Sequence, residues 1–231
     1  MAEAIQYFLD HFKDPETVAH YADGPRRFVP GMDGLHRMTG LLLAEHVPER
    51  GHVLALGAGG GLELKAMAEA HPGWRFTGVD PAEPMLAMAA QMLGPNAARA
   101  NLIEGVIDDA PAGPFDGATC LLTLHFLDRD ERIRTAAAVR ERLRPGAPFV
   151  VAHGSFPQEP GERDRWLDRY AAYAVASGAD PDATAKGRDA VARHVAMLSP
   201  EEDEAVLRAA GFSGVALFYA AFTWRGWVAY A

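Results

Sequence analysis

The feature that most constrains the fold of this chain is the segment Val53-Leu-Ala-Leu-Gly-Ala-Gly-Gly-Gly-Leu-Glu-Leu64. A short apolar run ends in Gly57, Gly59 and Gly61, and an amphipathic pattern begins at Leu62. The run predicts a buried strand, because a turn signal bounds it, and the pattern predicts a helix. Glycine permits positive φ and leaves space for a ligand against the backbone, while the N–H groups of a helix start point at that ligand. The segment therefore predicts a ligand cradle.

A second strand, residues 74–79, follows this helix and ends in Asp80. A carboxylate at that place can accept hydrogen bonds from both hydroxyls of a ribose. A dinucleotide fingerprint counted from Gly57 would need glycine at position 62, where this chain has Leu62. A nicotinamide dehydrogenase is therefore disfavoured. The pattern present is G-x-G-x-G, followed after the second strand by Asp80-Pro-Ala-Glu-Pro-Met85-Leu.

Together, the glycine turn, the acid and Met85 resemble motif I and its continuation in the class I S-adenosylmethionine-dependent methyltransferases. The resemblance implies S-adenosylmethionine as cofactor and a small-molecule acceptor of its methyl group. It implies that Asp80 holds the ribose and that Ile107 offers a backbone N–H and an apolar face to the adenine. It also implies that the carbonyls near Leu121 and Leu122 hold the methionine ammonium.

The predicted cofactor site follows from the rule that ligands of open α/β sheets bind beyond the carboxyl ends of the strands. That rule selects the loops after the first four strands. Asp108 or Asp109 could accept from the adenine amino group, and an ordinary loop acid is the alternative for either. The predicted cofactor-binding residues are Gly57, Ala58, Gly59, Gly61, Asp80, Pro81, Met85, Ile107, Asp108, Leu121 and Leu122.

Strands and helices alternate as far as residue 152, which predicts βαβ units. Two strands, 212–219 and 221–230, then follow each other without a helix, as at the end of the fold that the motifs resemble. The predicted fold is α/β, a Rossmann-like, doubly wound and mostly parallel seven-stranded sheet. It carries a C-terminal antiparallel hairpin, N-terminal helices and a helical insertion after strand five.

The length of 231 residues suits a single domain. We predict a helical segment in residues 1–23, a loop in 23–31 and a flexible connector in 177–186. The predicted parts of the domain are N-terminal helices (1–50), the cofactor-binding core (51–155), the helical insertion (156–198) and the last helix with the hairpin (199–231).

The net charge of −9 argues against a large nucleic-acid footprint. No apolar segment reaches the roughly 18 residues that a membrane-spanning helix needs, and the N-terminus lacks the basic region of a secretory signal. A cytoplasmic protein without a membrane partner is therefore expected, with a homodimer as a further expectation. Cys120 is the single cysteine and the histidines are scattered, so neither a disulfide nor a metal site is predicted.

A closer resemblance is to carboxy-S-adenosylmethionine synthases, which carboxylate the cofactor using prephenate. Its clearest marks are Val29-Pro-Gly31, the segment 121–127, Ala209-Ala-Gly-Phe212 and the placement of Arg188. That family keeps an arginine at the Arg188 position to pair with the added carboxylate, a task that suits a planar guanidinium.

Three departures separate this chain from that family. Met32 stands where the family has a tyrosine, Val106 where it has an aspartate and Leu121 where it has an asparagine. The resemblance therefore implies a shared architecture rather than a shared reaction. Carboxy transfer to the cofactor stays open as an alternative, as does a non-catalytic S-adenosylmethionine-binding regulator or scaffold.

The candidate catalytic residue is His125, just past strand four, with a structural histidine as the alternative. It would act as a base only if the acceptor must lose a proton. His36, His153 and His194 are weaker candidates. Arg26, Arg27 and Arg188 are candidate substrate-binding residues for an anionic acceptor, and solvated surface charges are the alternative.

Overall fold

The computed structural model describes Asp10, Phe12 and residues 24–231. The rest of the helical segment expected in residues 1–23 lies outside the described residues. In chain order the helices and strands are α1 (Gly24–Phe28), α2 (Met32–Ala44), β1 (His52–Leu56), α3 (Leu62–Ala70), β2 (Arg75–Asp80), α4 (Glu83–Leu93), β3 (Ala100–Glu104), β4 (Gly117–Leu121), α5 (Arg129–Glu141), β5 (Pro148–Gly154), α6 (Glu162–Ala176), α7 (Pro181–His194), α8 (Pro200–Ala209), β6 (Ser213–Ala221) and β7 (Trp224–Tyr230). Short 3₁₀ helices lie at Gly94–Arg99, Ile107–Asp109 and Leu124–Phe126.

The seven strands form one sheet in the order β3-β2-β1-β4-β5-β7-β6. Strands β1 to β5 pair in parallel, whereas β7 pairs antiparallel with both β5 and β6. The chain runs outward from β1 to β3 and then returns to place β4 on the other side of β1. The strand order reverses between β1 and β4, where doubly wound sheets open a ligand crevice. The predicted fold class is confirmed.

Helices cover both faces of the sheet. On one face, α2, α3 and α4 contribute Leu43, Leu64 and Leu86 to an apolar cluster. On the other face, α5 and α8 contribute Val139 and Leu207. A parallel sheet needs both faces covered, and β4 is accordingly buried along its whole length.

Two segments differ from the sequence prediction. Residues 24–28 form α1 instead of a loop, because Pro25 sits in the first turn, where a missing N–H is not needed. Residues 181–186, expected as a flexible connector, belong to α7. Asp180 caps that helix by accepting the Ala183 N–H at 2.8 Å, and a proline takes its first position. The sequence signal for this helix start is an N-cap residue followed by proline. The same pattern at Ser199 and Pro200 correctly predicts the start of α8.

The insertion after β5 consists of α6 and α7, which contact each other through side chains. Arg163 donates to the Ala192 carbonyl at 2.7 Å, and Arg188 donates to Asp168 at 3.0 Å. Among the described residues, no helix combines the length and apolarity that crossing a membrane requires.

Candidate functional site

A cavity of about 270 Å³ opens where the strand order reverses, at the carboxyl ends of β1, β2 and β4. Its walls are the turn after β1, the end of β2 and the loops after β3 and β4, and side chains from α2 and α5 complete it. The topology therefore brings four loops that are distant in the chain to one place.

The glycine turn forms one wall through Gly57, Ala58 and Gly59. Gly57 has φ 71°, and a Cβ added there would lie 2.1 Å from Thr123 Oγ1, so only glycine fits. Gly61 is not among the described residues that line the cavity. It precedes α3 with φ 80°, and a Cβ on it would lie 2.9 Å from the Ala89 Cβ. Its role in this structure is close packing of the turn against α4.

Asp80 points into the cavity from the end of β2, beside Pro81 and Met85. Its carboxylate accepts the Gly59 N–H and the Ala82 N–H, each at 2.9 Å. Burial raises the pKa of Asp80, while these two N–H donors act to lower it. The acid thus fixes the glycine turn and still lines the cavity, and each carboxylate oxygen retains capacity to accept a further hydrogen bond.

The loop after β3 contributes Val106 and Ile107 to the wall, and Ile107 lies in a 3₁₀ turn beyond the end of the strand. Both candidate adenine-binding acids have protein partners. Asp108 pairs with Arg134 at 3.2 Å, and Asp109 accepts the Val106 N–H at 2.9 Å. Neither is among the described lining residues, so a role for Asp108 at the adenine stays a prediction.

Leu121 and Leu122 line the cavity at the end of β4. Leu122 has φ 58°, and its N–H donates to the Ala152 carbonyl at 2.6 Å. A positive φ in a leucine is strained, and such strain concentrates at functional sites. It lies here where the resemblance puts the amino-acid part of the cofactor.

The structure separates the candidate histidines. His125 is buried against the sheet, with Nδ1 3.4 Å from the Gly154 backbone nitrogen and its ring 5.7 Å from that of Trp224. Burial, together with His153 and Arg132, holds the pKa of His125 well below its ordinary value. The cavity is instead lined by His36, on α2, whose pKa burial lowers to about 4. His36 is therefore an uncharged imidazole at neutral pH.

The candidate substrate arginines do not converge on the cavity. Arg188 lies between carboxylates of the insertion, 3.0 Å from Asp168 and 3.4 Å from Asp164. Arg26 pairs with Asp33 at 2.9 Å, and Arg27 is exposed at the end of α1. None of the three is among the described lining residues, so their role in substrate binding stays a prediction.

Several lining residues were not predicted from the sequence. Three of them, Glu131, Arg134 and Thr135, follow one another at helical spacing on α5. Positions i, i+3 and i+4 share one helix face, and that face could have been recognised once α5 was placed after β4. Glu63 and His36 also line the cavity, and no local pattern singles them out.

Comparison with known proteins shows what the chain is similar to. Residues 53–146 match the model of a methyltransferase domain. The chain is 26% identical to the carboxy-S-adenosyl-L-methionine synthase of Chromohalobacter salexigens, over 94% of this chain and 82% of that protein. These similarities support a class I S-adenosylmethionine-dependent methyltransferase. The matched segment runs from the first strand, through the glycine turn and Asp80, to the loop before β5.

Superposition on solved structures extends the similarity in fold beyond residues 53–146. A candidate O-methyltransferase from Nostoc punctiforme PCC 73102 superposes with a TM-score of 0.64 at 23% identity, over 87% of this chain. The structure titled PigF with SAH superposes with a TM-score of 0.69 at 18% identity, over 96% of this chain. This chain spans 57% and 62% of those two proteins, respectively.

The cavity of this methyltransferase fits S-adenosylmethionine, the cofactor of its class. A carboxylate faces the cavity for ribose hydroxyls, and the glycine turn lets backbone approach the ligand closely. Ile107 supplies a buried apolar surface for a base, and Glu63 supplies a buried acid toward a cationic ligand. Asp80, Ile107 and the end of β4 would hold the adenosine and the amino acid.

Proposed function

We propose that this methyltransferase transfers a methyl group from S-adenosylmethionine to a small, largely apolar acceptor that carries a hydroxyl or amine. One observation carries the proposal. The same cavity is lined by Asp80 and the glycine turn and, further along, by the apolar side chains of Met32, Phe126 and Leu127. The cofactor site and a water-excluding acceptor site would thus be two parts of one space.

Bound S-adenosylmethionine supplies a methyl group that its sulfonium makes electrophilic. The chain itself has to align the acceptor and keep water out. Met32 and Leu121 are almost fully buried, and with Leu62 and Leu122 they present an apolar wall to the acceptor. This wall favours acceptors with aromatic or aliphatic surface.

His36 is the polar group of α2 in this part of the cavity. With a pKa of about 4, its neutral imidazole accepts a hydrogen bond at neutral pH and is a weak base. Its role would be to orient the acceptor hydroxyl or amine through an unprotonated ring nitrogen.

An anionic acceptor remains a second proposal, and Arg134 is the lining residue that supports it.

Carboxy transfer to the cofactor is the alternative reaction, because the similar protein from Chromohalobacter salexigens is named a carboxy-S-adenosyl-L-methionine synthase. The three positions at which the resemblance implies tyrosine, aspartate and asparagine are Met32, Val106 and Leu121, and all three line the cavity as apolar groups. Arg188 is bound to carboxylates elsewhere. These contacts favour methyl transfer. Mass spectrometry of the nucleotide after incubation with prephenate tests the alternative, which requires a mass gain of one carboxylate.

Isothermal titration calorimetry with S-adenosylhomocysteine tests the cofactor site. We expect Asp80→Asn to weaken binding by roughly tenfold or more, because it removes the charged acceptor of the ribose hydroxyls. Asp130→Asn is the matched control, since Asp130 is exposed, faces Arg129 at 3.9 Å and is not among the described lining residues, so its affinity should stay near that of the wild type. Equal affinities for all three proteins would contradict the placement of the ribose.

An acceptor screen by mass spectrometry tests the reaction. Phenols, alcohols and amines with an apolar body should gain a methyl group. His36→Phe keeps the ring and removes both nitrogens, so turnover should fall while S-adenosylhomocysteine binding stays unchanged. Cofactor binding without turnover of any acceptor would favour the non-catalytic binding protein.

A further inference from the structure

Glu63 is a carboxyl group buried at the floor of the cavity. It is the second residue of α3, it is 7% exposed, and it lines the cavity. Thr119 of β4 donates its hydroxyl to Glu63 Oε1 at 2.6 Å. The side chain therefore reaches from the helix after β1 to the neighbouring strand β4.

The sheet register explains how the carboxyl reaches this place. Ala55 of β1 is paired with Thr119 of β4, so both side chains project from the same face of the sheet. Ala55 belongs to the apolar cluster on the face that carries α3. The Thr119 hydroxyl on this face is the group that meets the Glu63 carboxyl.

Among the described residues, no basic side chain pairs with this carboxyl. Within residues 24–231, Glu63 forms no ion pair with a lysine or arginine, and Thr119 is its hydrogen-bond donor. Burial, with the nearby Asp80, raises the pKa of Glu63 to about 8 against the opposing effect of Thr119. A carboxyl kept protonated by its surroundings, and facing a cavity, is poised for a cationic ligand.

The other titratable groups near Glu63 do not pair with it, and the guanidinium of Arg134, which lines the same cavity from α5, pairs with Asp108 at 3.2 Å. Asp80 of β2 adds negative charge, and Cys120 of β4 is a buried thiol whose pKa burial raises. His36 of α2 lines the same cavity and is neutral at pH 7. Glu83 of α4 is exposed, and Lys65, on α3 itself, faces Glu69 at 4.0 Å.

We propose that Glu63 binds the ammonium group of the methionine part of S-adenosylmethionine and releases its own proton to solvent as the cofactor binds. The inference rests on the proposed function. Thr119 lies two residues before Leu121 on β4, so the carboxyl lies near the strand end where the resemblance puts the ammonium. The ammonium keeps its protons, and the charge that Glu63 gains on losing one pairs with it.

Calorimetric proton counting tests this inference without any turnover. S-Adenosylhomocysteine is titrated at pH 7 in buffers of different ionisation enthalpy. With a pKa of about 8, about nine-tenths of the Glu63 carboxyls are protonated at pH 7, so close to one proton should be released per ligand bound. Between about pH 6 and pH 8 the affinity should rise nearly tenfold per pH unit and then level off.

Glu63→Gln keeps the size of the side chain and an oxygen for the Thr119 hydroxyl. We expect it to abolish proton release and to weaken S-adenosylhomocysteine on the order of tenfold to a hundredfold. Glu69→Gln, on the exposed side of the same helix, is the matched control and should match the wild type. Methylthioadenosine retains the adenosine and the sulfur and lacks the ammonium, so it should bind both variants and the wild type equally, with no proton release.

The outcomes separate the two proposals. If S-adenosylhomocysteine binds the wild type without proton release, or binds Glu63→Gln equally well, Glu63 is not the ammonium partner and the cofactor proposal stands. Proton release with methylthioadenosine would also overturn the inference. If neither ligand binds the wild type, the proposed function fails.

Thr119→Val serves as a second variant, in case Glu63→Gln does not fold. It keeps the carboxyl and removes its donor, so the pH at which affinity levels off should move upward. An unmoved pH profile would contradict the inference.

Discussion

At the scale of single residues, the cavity depends on positions where one atom more would not fit. Gly57 is the clearest case, since three Thr123 side-chain atoms lie within 2.7 Å of where its Cβ would be. Because the Thr123 Cβ is among them, rotating the threonine side chain does not remove the clash. The turn and the loop after β4 are therefore matched to each other at this point.

Gly57→Ala should cost more than the backbone conformation alone explains. Gly146→Ala is the matched control, with φ 76° against 71° and no atom within 4 Å of the added methyl group. We expect the control to lose about 1 kcal/mol of stability. Gly57→Ala should lose about 2–4 kcal/mol in urea unfolding and also weaken S-adenosylhomocysteine, because the cavity wall must shift. Equal losses of unfolding free energy in the two variants would mean that the added methyl group and Thr123 move apart without a cost in stability.

At the scale of elements, α5 is attached to α8 by a buried ion pair. Arg132 donates to Asp203 Oδ1 at 2.6 Å and to the Leu127 carbonyl at 3.0 Å, and both charged side chains are almost fully buried. His153 Nε2 lies 3.1 Å from the same carboxylate oxygen. The position of α5 matters to the cavity, because another face of this helix carries Arg134.

Removing one partner of this pair should be strongly destabilising. Asp203→Asn should lower the free energy of unfolding by about 3–5 kcal/mol, since it leaves the Arg132 guanidinium buried without its counter-charge. Replacing both with apolar residues, as Arg132→Met with Asp203→Leu, should cost less than the sum of the two single changes. Urea unfolding of the wild type, Arg132→Met, Asp203→Leu and the double variant measures this difference. Strictly additive losses would show that the pair is not coupled.

The pH dependence of the same pair has a definite sign. Burial acts to raise the pKa of Asp203, but His153 and Arg132 outweigh it and hold that pKa below its ordinary value. A carboxyl with a lowered pKa in the folded state adds stability above its unfolded pKa and loses it as the pH falls through the folded value. The wild type should therefore lose stability below about pH 4 more steeply than Asp203→Asn.

At the scale of the whole molecule, the cavity is assembled from segments spread over more than half of the chain. Its described lining runs from Phe12 to Thr135 and includes parts of helices α2, α3, α4 and α5 besides the four strand ends. A ligand there contacts elements from both helical layers. The expected homodimer stays a prediction at this scale.

Ligand binding should therefore stabilise the whole fold. At a concentration of S-adenosylhomocysteine about a hundred times its Kd, the free energy of unfolding should rise by about 2.7 kcal/mol. For a chain of this length that corresponds to an increase of roughly 5–10 °C in Tm. Differential scanning fluorimetry measures the shift, with Asp80→Asn at the same ligand concentration as the control. An unchanged Tm for the wild type would show that the ligand does not bind the folded cavity.

The sequence by itself determined the order of the strands and of most helices, the glycine turn and the position of Asp80 at the end of β2. These follow from local properties: apolar runs, helix caps and the φ freedom of glycine act within a few residues of each other. The same rules, applied fully at Asp180, would also have given the start of α7. Gly59 and Asp80 meet because β1 and β2 are paired neighbours joined by one crossover.

Only the tertiary structure decided which side chains face the cavity. His36 and His125 are both buried histidines, yet His36 lines the cavity and His125 packs against the sheet. Glu63 and Arg188 are both charged residues on helices, but Glu63 accepts from Thr119 of β4 and Arg188 pairs with carboxylates of the insertion. Helix rotation and the pairing of distant strands set these directions, and both depend on contacts between residues far apart in the chain.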